Sequence, residues 1–280
     1  MLVCVVVFFL PGWVAAGDVR VVVLPVSVMQ GEPALAVVEG ATVAEVKRMM
    51  WGNKPLAVFS LQGTTTALVG IDLNQKVGEY AVVVWLKNGQ YATSTLVVKR
   101  REKDEALLGI PEKLGGNSTS SQKALITTLQ KENAMLASLK TGNKAFWTRP
   151  FRMPLSNPIV TDSYGYVRQT GAYSILHKGV DFRAVVGTPV LAMNRGVVRQ
   201  VHTYRDYGKT VVIDHGLGVM TFYMHLSKVE VHEGELVLPG QVIALSGMSG
   251  YAESPHLHVS VRIGGVSVDP VAFLNLVGAH

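Results

Sequence analysis

Short runs of β-branched and aromatic residues, separated by turn residues, fill most of this 280-residue sequence and set its fold class. Such runs are typical of strands, because β-branched side chains pack well on a pleated, half-buried surface. In the first part of the chain they fall at 21–23, 36–38, 56–59, 67–69 and 80–85. Asn88-Gly89 follows the last run and is typical of a two-residue hairpin turn. About seven short strands in roughly eighty residues predict an Ig-like β-sandwich over residues 17–103.

A charged and turn-rich segment, residues 104–149, separates this domain from a second strand-rich region. Glycines and serines at 115–121 interrupt regular structure. Ser121 is a candidate N-cap for a helix over about 122–139, where leucines recur at helical spacing. These leucines are Leu125, Leu129, Leu136 and Leu139. The segment is therefore predicted to be a linker with one packing helix.

The last region, residues 150–280, is again rich in strand patterns with glycines between them. Its apolar and β-branched runs fall at 190–192, 196–198, 210–213, 220–223 and 258–261. The whole chain is therefore predicted to be mainly β, with a short helical linker between two β domains.

The first sixteen residues have features of an export signal. The apolar run over 1–10 is too short to span a bilayer but suits the core of a signal peptide. Val14 and Ala16 occupy the −3 and −1 positions of a cut before Gly17. No Lys or Arg precedes the run, and a buried first strand is the alternative interpretation. A signal over 1–16 predicts export to the periplasm or cell envelope, with no membrane span after its removal.

Composition excludes some classes of protein and leaves others open. The single cysteine, Cys4, excludes a disulfide scaffold and any metal site with several cysteines. Apolar residues at 48% and charged residues at 16% argue against extensive disorder. The net charge of +6 suits an anionic partner such as cell wall, nucleic acid or a membrane surface. From residue 149 onward, 11 Lys+Arg stand against 9 Asp+Glu, which disfavours nucleic-acid binding.

Three short segments contain four of the eight histidines. They are His-Lys-Gly-Val-Asp at 177–181, Tyr-Met-His-Leu-Ser at 223–227 and Pro-His-Leu-His-Val at 255–259. Residues two apart in a strand point the same way, so His256 and His258 share a face. Asp181 shares a face with His177 if their segment is extended. Four imidazoles and a carboxylate on one side of a sheet are costly to bury without a function.

These residues suit a catalytic zinc site, which needs three N or O ligands and an open position for water. His177, Asp181 and His258 supply that set. His225 and His256 then remain beside it, where neutral imidazoles can take a proton from water and stabilise developing charge. Zinc lowers the pKa of its bound water to roughly 7.

The other four histidines are assigned no role in the site. His202 and His232 lie in polar stretches that we expect to be exposed, and His215 is expected in a turn. His280 is the terminal residue.

The order of the three histidine segments resembles that of the lysostaphin/LytM-type zinc metallopeptidases, which cut peptide bonds in peptidoglycan. The family pattern is His-x-x-x-Asp, then a His in a Tyr-x-His-Leu-type strand, then His-x-His. All three parts stand here in order, and the surrounding phrases at 179–182 and 254–258 match too. The resemblance spans about 150–274, and the β domain and linker before it also resemble those of some bacterial members.

The resemblance implies Zn2+ held by His177, Asp181 and His258, with His225 and His256 as the catalytic pair. The implied fold is an antiparallel β-sheet domain with a narrow groove walled by loops. The implied function is that of a secreted endopeptidase that hydrolyses peptide bonds of bacterial peptidoglycan, stem-peptide cross-links above all, by a zinc-activated water.

One part of the sequence departs from the family. Members often have Phe-Gly-x-Arg upstream of the first His, but here residues 164–168 read Tyr-Gly-Tyr-Val-Arg. The Arg is displaced by one position, so no role is transferred to Arg168. Some members use a Tyr near the first motif to polarise the substrate carbonyl, and Tyr173 is the nearest candidate.

Two other functions stay open beside the peptidase. Some relatives have lost ligands and only activate other wall hydrolases, but none of the five site residues is lost here. A nucleic-acid or membrane-surface binder rests only on the basic excess. We also expect the linker to occlude the groove partly until it is displaced.

Overall fold

The computed structural model describes residues 19–107, 109–147 and 149–278. The predicted signal segment, with Cys4 and the cut before Gly17, lies outside these residues, as does His280. The described structure is mainly β-sheet with two α-helices, which confirms the predicted fold class. None of the helices in these ranges has the length and apolar character needed to cross a membrane.

Two β-sheets pack face to face in the first part of the chain. Their strands are β1 (Arg20–Leu24), β2 (Ser27–Met29), β3 (Pro33–Glu39), β4 (Val46–Trp51), β5 (Lys54–Leu56), β6 (Val58–Leu61), β7 (Thr64–Gly70), β8 (Gly78–Leu86) and β9 (Tyr91–Lys99). One sheet has the order β1-β3-β7-β6 and the other β2-β9-β8-β4-β5. Small and β-branched side chains from both sheets, such as Ala36, Ala67, Val82 and Val84, fill the space between them. The predicted β-sandwich is therefore confirmed.

Two details of the sandwich differ from the prediction. The run at 56–59 is two strands, because the chain crosses at Ala57 from the five-stranded to the four-stranded sheet. The hairpin at Asn88-Gly89 has a three-residue loop, since Leu86 donates its N–H to the carbonyl of Gln90 at 2.8 Å. Gly89 has φ +92°, a conformation that glycine adopts without strain and that suits such a loop.

The linker contains one strand, one 3-10 turn and one long helix. They are β10 (Glu105–Leu107), a 3-10 turn (Glu112–Leu114) and α1 (Thr119–Ala137). The predicted cap is wrong by three residues, because the Ser118 hydroxyl accepts from the Ser121 N–H at 3.2 Å. The Ser121 hydroxyl instead donates to the carbonyl of Gly115 at 2.9 Å, outside the helix. Leu125 and Leu136 are buried, as a packing helix requires.

The last part of the chain is built on a large antiparallel sheet. Its elements are β11 (Val160–Asp162), β12 (Val167–Thr170), β13 (Tyr173–Leu176), β14 (Val180–Arg183), β15 (Pro189–Leu191), β16 (Gly196–Tyr204), β17 (Gly208–Gly216), β18 (Val219–Leu226), β19 (Lys228–Val229), β20 (Leu236–Val237), β21 (Val242–Leu245), β22 (His256–Ile263), β23 (Val266–Val268) and α2 (Pro270–Val277). The large sheet has the order β11-β14-β22-β18-β17-β16-β20, with β23 beside β22. A second sheet, β10-β12-β13, joins the linker strand to this region through a parallel pairing.

The two faces of the large sheet have different roles. Leu257, Val259 and Val261 of β22 point into the main core of this region. The alternate residues, such as His258 and Arg262, point to the opposite face and line a cavity. Helix α1 packs on part of that face, where Leu136 contacts the cluster containing Phe222. The linker helix and the histidines therefore share one face of the sheet.

Aromatic and ionic contacts join the sandwich to the large sheet. Phe59 of the sandwich meets Trp147 edge to face, with ring centroids 5.2 Å apart, and Trp147 meets Phe151 at 5.3 Å. Arg101 donates to the carbonyl of Gln30 at 2.8 Å and to Asp269 at 3.0 Å. The two parts therefore share one hydrophobic cluster.

Candidate metal centre

Strand pairing brings the predicted site residues together. In the antiparallel pair β14–β22, Asp181 lies directly opposite His258. On the other side of β22, Met224 lies opposite His258, so His225 follows at the end of β18. His177 lies between β13 and β14 and is fixed by its N–H, which donates to the carbonyl of Tyr166 at 2.8 Å. It therefore reaches the site from a connecting segment and not from a strand.

Three potential ligand atoms form a small triangle. Asp181 Oδ1 lies 3.2 Å from His177 Nε2 and 2.7 Å from His258 Nδ1. The two histidine nitrogens are 3.0 Å apart. Ligands of a tetrahedral zinc, at bonds of about 2.0–2.2 Å, lie roughly 3.3–3.6 Å from one another. A zinc ion among these atoms needs them to move apart by less than about 1 Å, most of all Asp181 Oδ1 and His258 Nδ1.

Hydrogen bonds on the far side of each ring support this interpretation. His177 Nδ1 lies 3.0 Å from the carbonyl of Ser163, an acceptor that requires a hydrogen on Nδ1. His258 Nε2 lies 3.0 Å from the Ser260 hydroxyl, which itself donates to the carbonyl of Lys178. With those hydrogens directed outward, the three inward atoms are all acceptors. Such atoms repel at these distances unless a cation lies among them, so the site fits a metal.

Burial and charge keep these groups in the forms that bind a metal. His177, Asp181 and His258 are all buried. Burial raises the pKa of Asp181, but its contacts with His177 and His258 outweigh burial and hold that pKa well below its usual range. Burial lowers the pKa of His258 to about 4, although Asp181 opposes the change. A carboxylate and a neutral imidazole result.

The residue two positions after His177 is a glycine, Gly179, because the site leaves no room there for a side chain. A Cβ at this position would lie 2.3 Å from His258 Nε2 and 2.6 Å from the carbonyl of Val259. Any other residue would push His258 away from Asp181.

His225 and His256 lie side by side next to the triangle. Their ring centroids are 4.8 Å apart, and His256 Nε2 is 3.8 Å from Asp181 Oδ1. His225 Nδ1 faces the carbonyl of Ser249 at 2.9 Å, and His256 Nδ1 faces that of Ser254 at 2.8 Å. His256 Nε2 is buried and has no hydrogen-bond partner among the described residues. Burial, followed by the charges of His256 and His258, holds the pKa of His225 well below its usual range.

Two cavities flank the histidines. One of about 740 Å³ is lined by His177, His225 and His258 on one side and by α1 residues such as Leu129 and Asn133 on the other. The second, of about 350 Å³, lies on the side of Asp181 and His256. A groove at the metal site is thus present, and the linker helix forms one of its walls.

The histidines assigned no role in the site are separate from this cluster. His202 and His232 are exposed, as predicted. The expectation that His215 lies in a turn is wrong, because it is buried within β17. Its ring nitrogens meet the carbonyl of Arg195 at 2.9 Å and the hydroxyl of Thr221 at 2.8 Å. Burial lowers the pKa of His215 to about 4, so it serves as a neutral core residue.

The sequence patterns missed several residues near the site. Tyr173 does not line the cavities that contain the histidines, whereas Tyr251 lines both of them. Arg168, which received no role, donates from its guanidinium to Asp181. The leucine pattern also leaves out Glu132, which lies in the buried stripe of α1 at helical spacing from Leu125 and Leu136, where a buried Glu signals a polar partner.

Comparisons with known proteins agree with this geometry. Residues 175–270 match the model of Peptidase family M23. Over 93 residues the chain is 43% identical to the peptidoglycan DD-endopeptidase ShyA of Vibrio cholerae serotype O1, covering 33% of this chain and 22% of that protein. Over 127 residues it is 35% identical to lysostaphin of Staphylococcus staphylolyticus, covering 41% and 25%. A crystal structure of an M23 peptidase from Pseudomonas aeruginosa superposes with a TM-score of 0.59 at 25% identity, covering 89% of this chain and 95% of that one.

Sheet, donor set and neighbouring histidines together resemble the centre of a zinc metallopeptidase. Within that class, residues 175–270 resemble the M23 peptidases. The matched region spans only about a fifth to a quarter of the length of these two relatives.

Proposed function

We propose that this protein is a zinc-dependent endopeptidase that hydrolyses peptide bonds of bacterial peptidoglycan, with stem-peptide cross-links as its main substrate. We further propose that it is exported to the periplasm or cell envelope, with a signal over 1–16, a sandwich over 17–103, a linker over 104–149 and a catalytic domain over 150–280. The observation that carries the activity is the convergence of three acceptor atoms, Nε2 of His177, Oδ1 of Asp181 and Nδ1 of His258.

These three residues would hold the zinc ion. When bound, zinc polarises the scissile carbonyl and lowers the pKa of a water molecule to roughly 7. His225 and His256 each have Nδ1 directed to a main-chain carbonyl, which leaves Nε2 as the proton acceptor. The low pKa of His225 keeps its ring neutral before the reaction. The pair can therefore accept a proton during attack and return it to the leaving amine.

Peptidoglycan is the substrate that the relatives support. ShyA is named for DD-endopeptidase activity on peptidoglycan, and lysostaphin matches over a longer stretch of the chain. The two cavities beside the histidines share Arg168 and Tyr251 in their walls, which suits a peptide that extends across both.

The test is metal analysis and wall digestion with the purified protein and its His177→Ala variant. We expect about one zinc per chain in the parent protein, release of peptides from defined peptidoglycan, and loss of both in the variant. The His232→Ala variant, at an exposed histidine, should behave as the parent. No bound zinc together with unchanged digestion after His177→Ala would refute the proposal. Bound zinc without cleavage would instead identify a non-catalytic binding module.

A further inference from the structure

Arg168 extends from β12 toward the carboxylate of Asp181. Its Nη2 atom donates to Asp181 Oδ2 and, at 2.8 Å, to Asp162 Oδ2. The Arg168 side chain is only 15% exposed and that of Asp181 4%. Charge-assisted hydrogen bonds of this kind are stronger than neutral ones, and they are screened little when they are buried.

The two oxygens of Asp181 have different partners. Oδ1 faces His177 Nε2 and His258 Nδ1, while Oδ2 is held by Arg168. A carboxylate free to turn could offer both oxygens to a metal. With Oδ2 bound to the guanidinium, only Oδ1 remains for that purpose.

Main-chain pairing fixes Arg168 on both sides. In β12 it lies opposite Ile175 of β13 and, through the parallel pairing, opposite Ala106 of the linker strand β10. Asp162 lies on β11 in register with Asp181, so both acceptors of the guanidinium belong to neighbouring strands. A guanidinium does not deprotonate in proteins, so Arg168 faces both carboxylates as a cation.

We propose that Arg168 is a positioning residue for the metal centre, which fixes Asp181 as a ligand through one oxygen and preserves an open position for water. This inference rests on the proposed zinc site. The guanidinium also withdraws negative charge from Asp181, so a bound cation keeps more of its own positive charge. Arg168 is displaced by one position in the sequence from the Arg of the family motif. It nevertheless reaches Asp181 with its side chain.

The experiment compares the full chain with Arg168→Met and Arg168→Lys. Zinc affinity is measured by chelator competition, and the coordination geometry is followed by the visible absorption of the cobalt-substituted protein. Outer partners of metal ligands typically change affinity by about 10- to 100-fold. We expect a loss of that size and altered cobalt bands for Arg168→Met. Arg168→Lys keeps the charge without the planar guanidinium. Its zinc affinity and cobalt bands should lie between those of Arg168→Met and the parent.

Arg20→Met, at an exposed position on β1, is the matched control and should bind zinc as the parent does. Parent-like affinity and cobalt bands in both Arg168 variants would overturn the inference. If Arg168→Met does not fold, as judged by circular dichroism, Arg168→Lys alone decides the question in the same way. A parent protein that binds no zinc would instead refute the proposed function, so the two failures are distinguishable.

Discussion

His225 and His256 differ from the three proposed metal ligands in what their loss should do. Their Nδ1 atoms are directed to main-chain carbonyls, and neither residue is part of the triangle formed by His177, Asp181 and His258. Replacing either by Ala should leave bound zinc near the parent level. It should lower kcat by roughly 10²- to 10⁴-fold, the usual contribution of a general acid or base. Metal analysis and peptide hydrolysis measure the two effects separately.

The controls for this prediction are two histidines outside the cluster. His202→Ala and His232→Ala change exposed side chains and should alter neither zinc content nor kcat. Loss of zinc in His256→Ala would show that His256 is a ligand and contradict the assigned roles.

At the scale of residues, the shared face of the histidines could be predicted because their spacing reflects local geometry. His256 and His258 share a face by the two-residue period of a strand, and no longer-range knowledge is needed. Arg168 could not be predicted in this way. Its contact with Asp181 depends on how β12 is positioned beside β14, and that register is set by strands distant in sequence.

Helix α1 is attached to the large sheet by one buried carboxylate. Glu132 accepts from the N–H groups of Arg205 at 2.7 Å, Asp206 at 3.1 Å and Tyr207 at 3.2 Å, all in the turn between β16 and β17. Glu132→Ala leaves these donors without that acceptor and should destabilise the helix contact by about 1–3 kcal/mol. Hydrogen exchange of residues 119–137 should then accelerate, while Lys131→Ala, on an exposed face of the helix, should not change it.

The same variant tests whether the linker occludes the groove. Ile126, Leu129 and Asn133 of α1 line the cavity that contains the histidines. A loss of about 1–3 kcal/mol in the helix contact increases the open population by roughly 5- to 150-fold. Digestion of polymeric peptidoglycan should therefore rise in Glu132→Ala. Unchanged or lower digestion, with faster exchange in the helix, would contradict occlusion.

Asp206, in the turn that binds Glu132, should also make the stability of the folded protein depend on pH. The Asp206 side chain is fully buried, and burial followed by the charge of Glu132 raises its pKa to about 7, against a partial opposing effect of Arg205. The folded protein therefore holds this proton more tightly than the unfolded chain. The stabilisation is complete below about pH 4 and is lost as pH rises through 7. The free energy of unfolding of Asp206→Asn, measured by urea titration, should therefore rise relative to that of the parent between about pH 4 and pH 7. A difference in unfolding free energy that does not change with pH would contradict this.

Strands were predicted well where sequence periodicity alone defines them. They were predicted less well where pairing with a strand distant in sequence decides which sheet they join. Each predicted apolar run overlaps a strand, with only Ala57 and Ala192 outside, but the run at 56–59 divides between two sheets. That division depends on which neighbour each half pairs with, since Val58 faces Ala67 of β7 while Leu56 faces Met49 of β4. Local propensity contains no information on such a choice.

At the scale of the whole molecule, Trp147 joins the sandwich to the large sheet. It is buried and packs edge to face against Phe59 and Phe151. Trp147→Ala should destabilise the protein by about 3–5 kcal/mol, the usual loss for a buried large aromatic. Denaturant unfolding followed by circular dichroism measures this change.

The matched control is Trp85→Ala, at a half-buried tryptophan of the sandwich that stacks with Arg48. It should be less destabilising, because less of the side chain is removed from water. An equal loss in both variants would show that the contact between the two parts adds nothing to the stability of the chain.

The strand order of the large sheet also determines when the metal site can exist. His177 and Asp181 lie four positions apart, but His258 comes 77 positions after Asp181, on a strand inserted between β14 and β18. A chain still being synthesised therefore holds two of the three donors for most of its growth. The third arrives only with β22, whose insertion also completes the sheet. A partly made or truncated copy of this protein thus lacks part of the donor set, and all three donors come together only when β22 has joined the sheet.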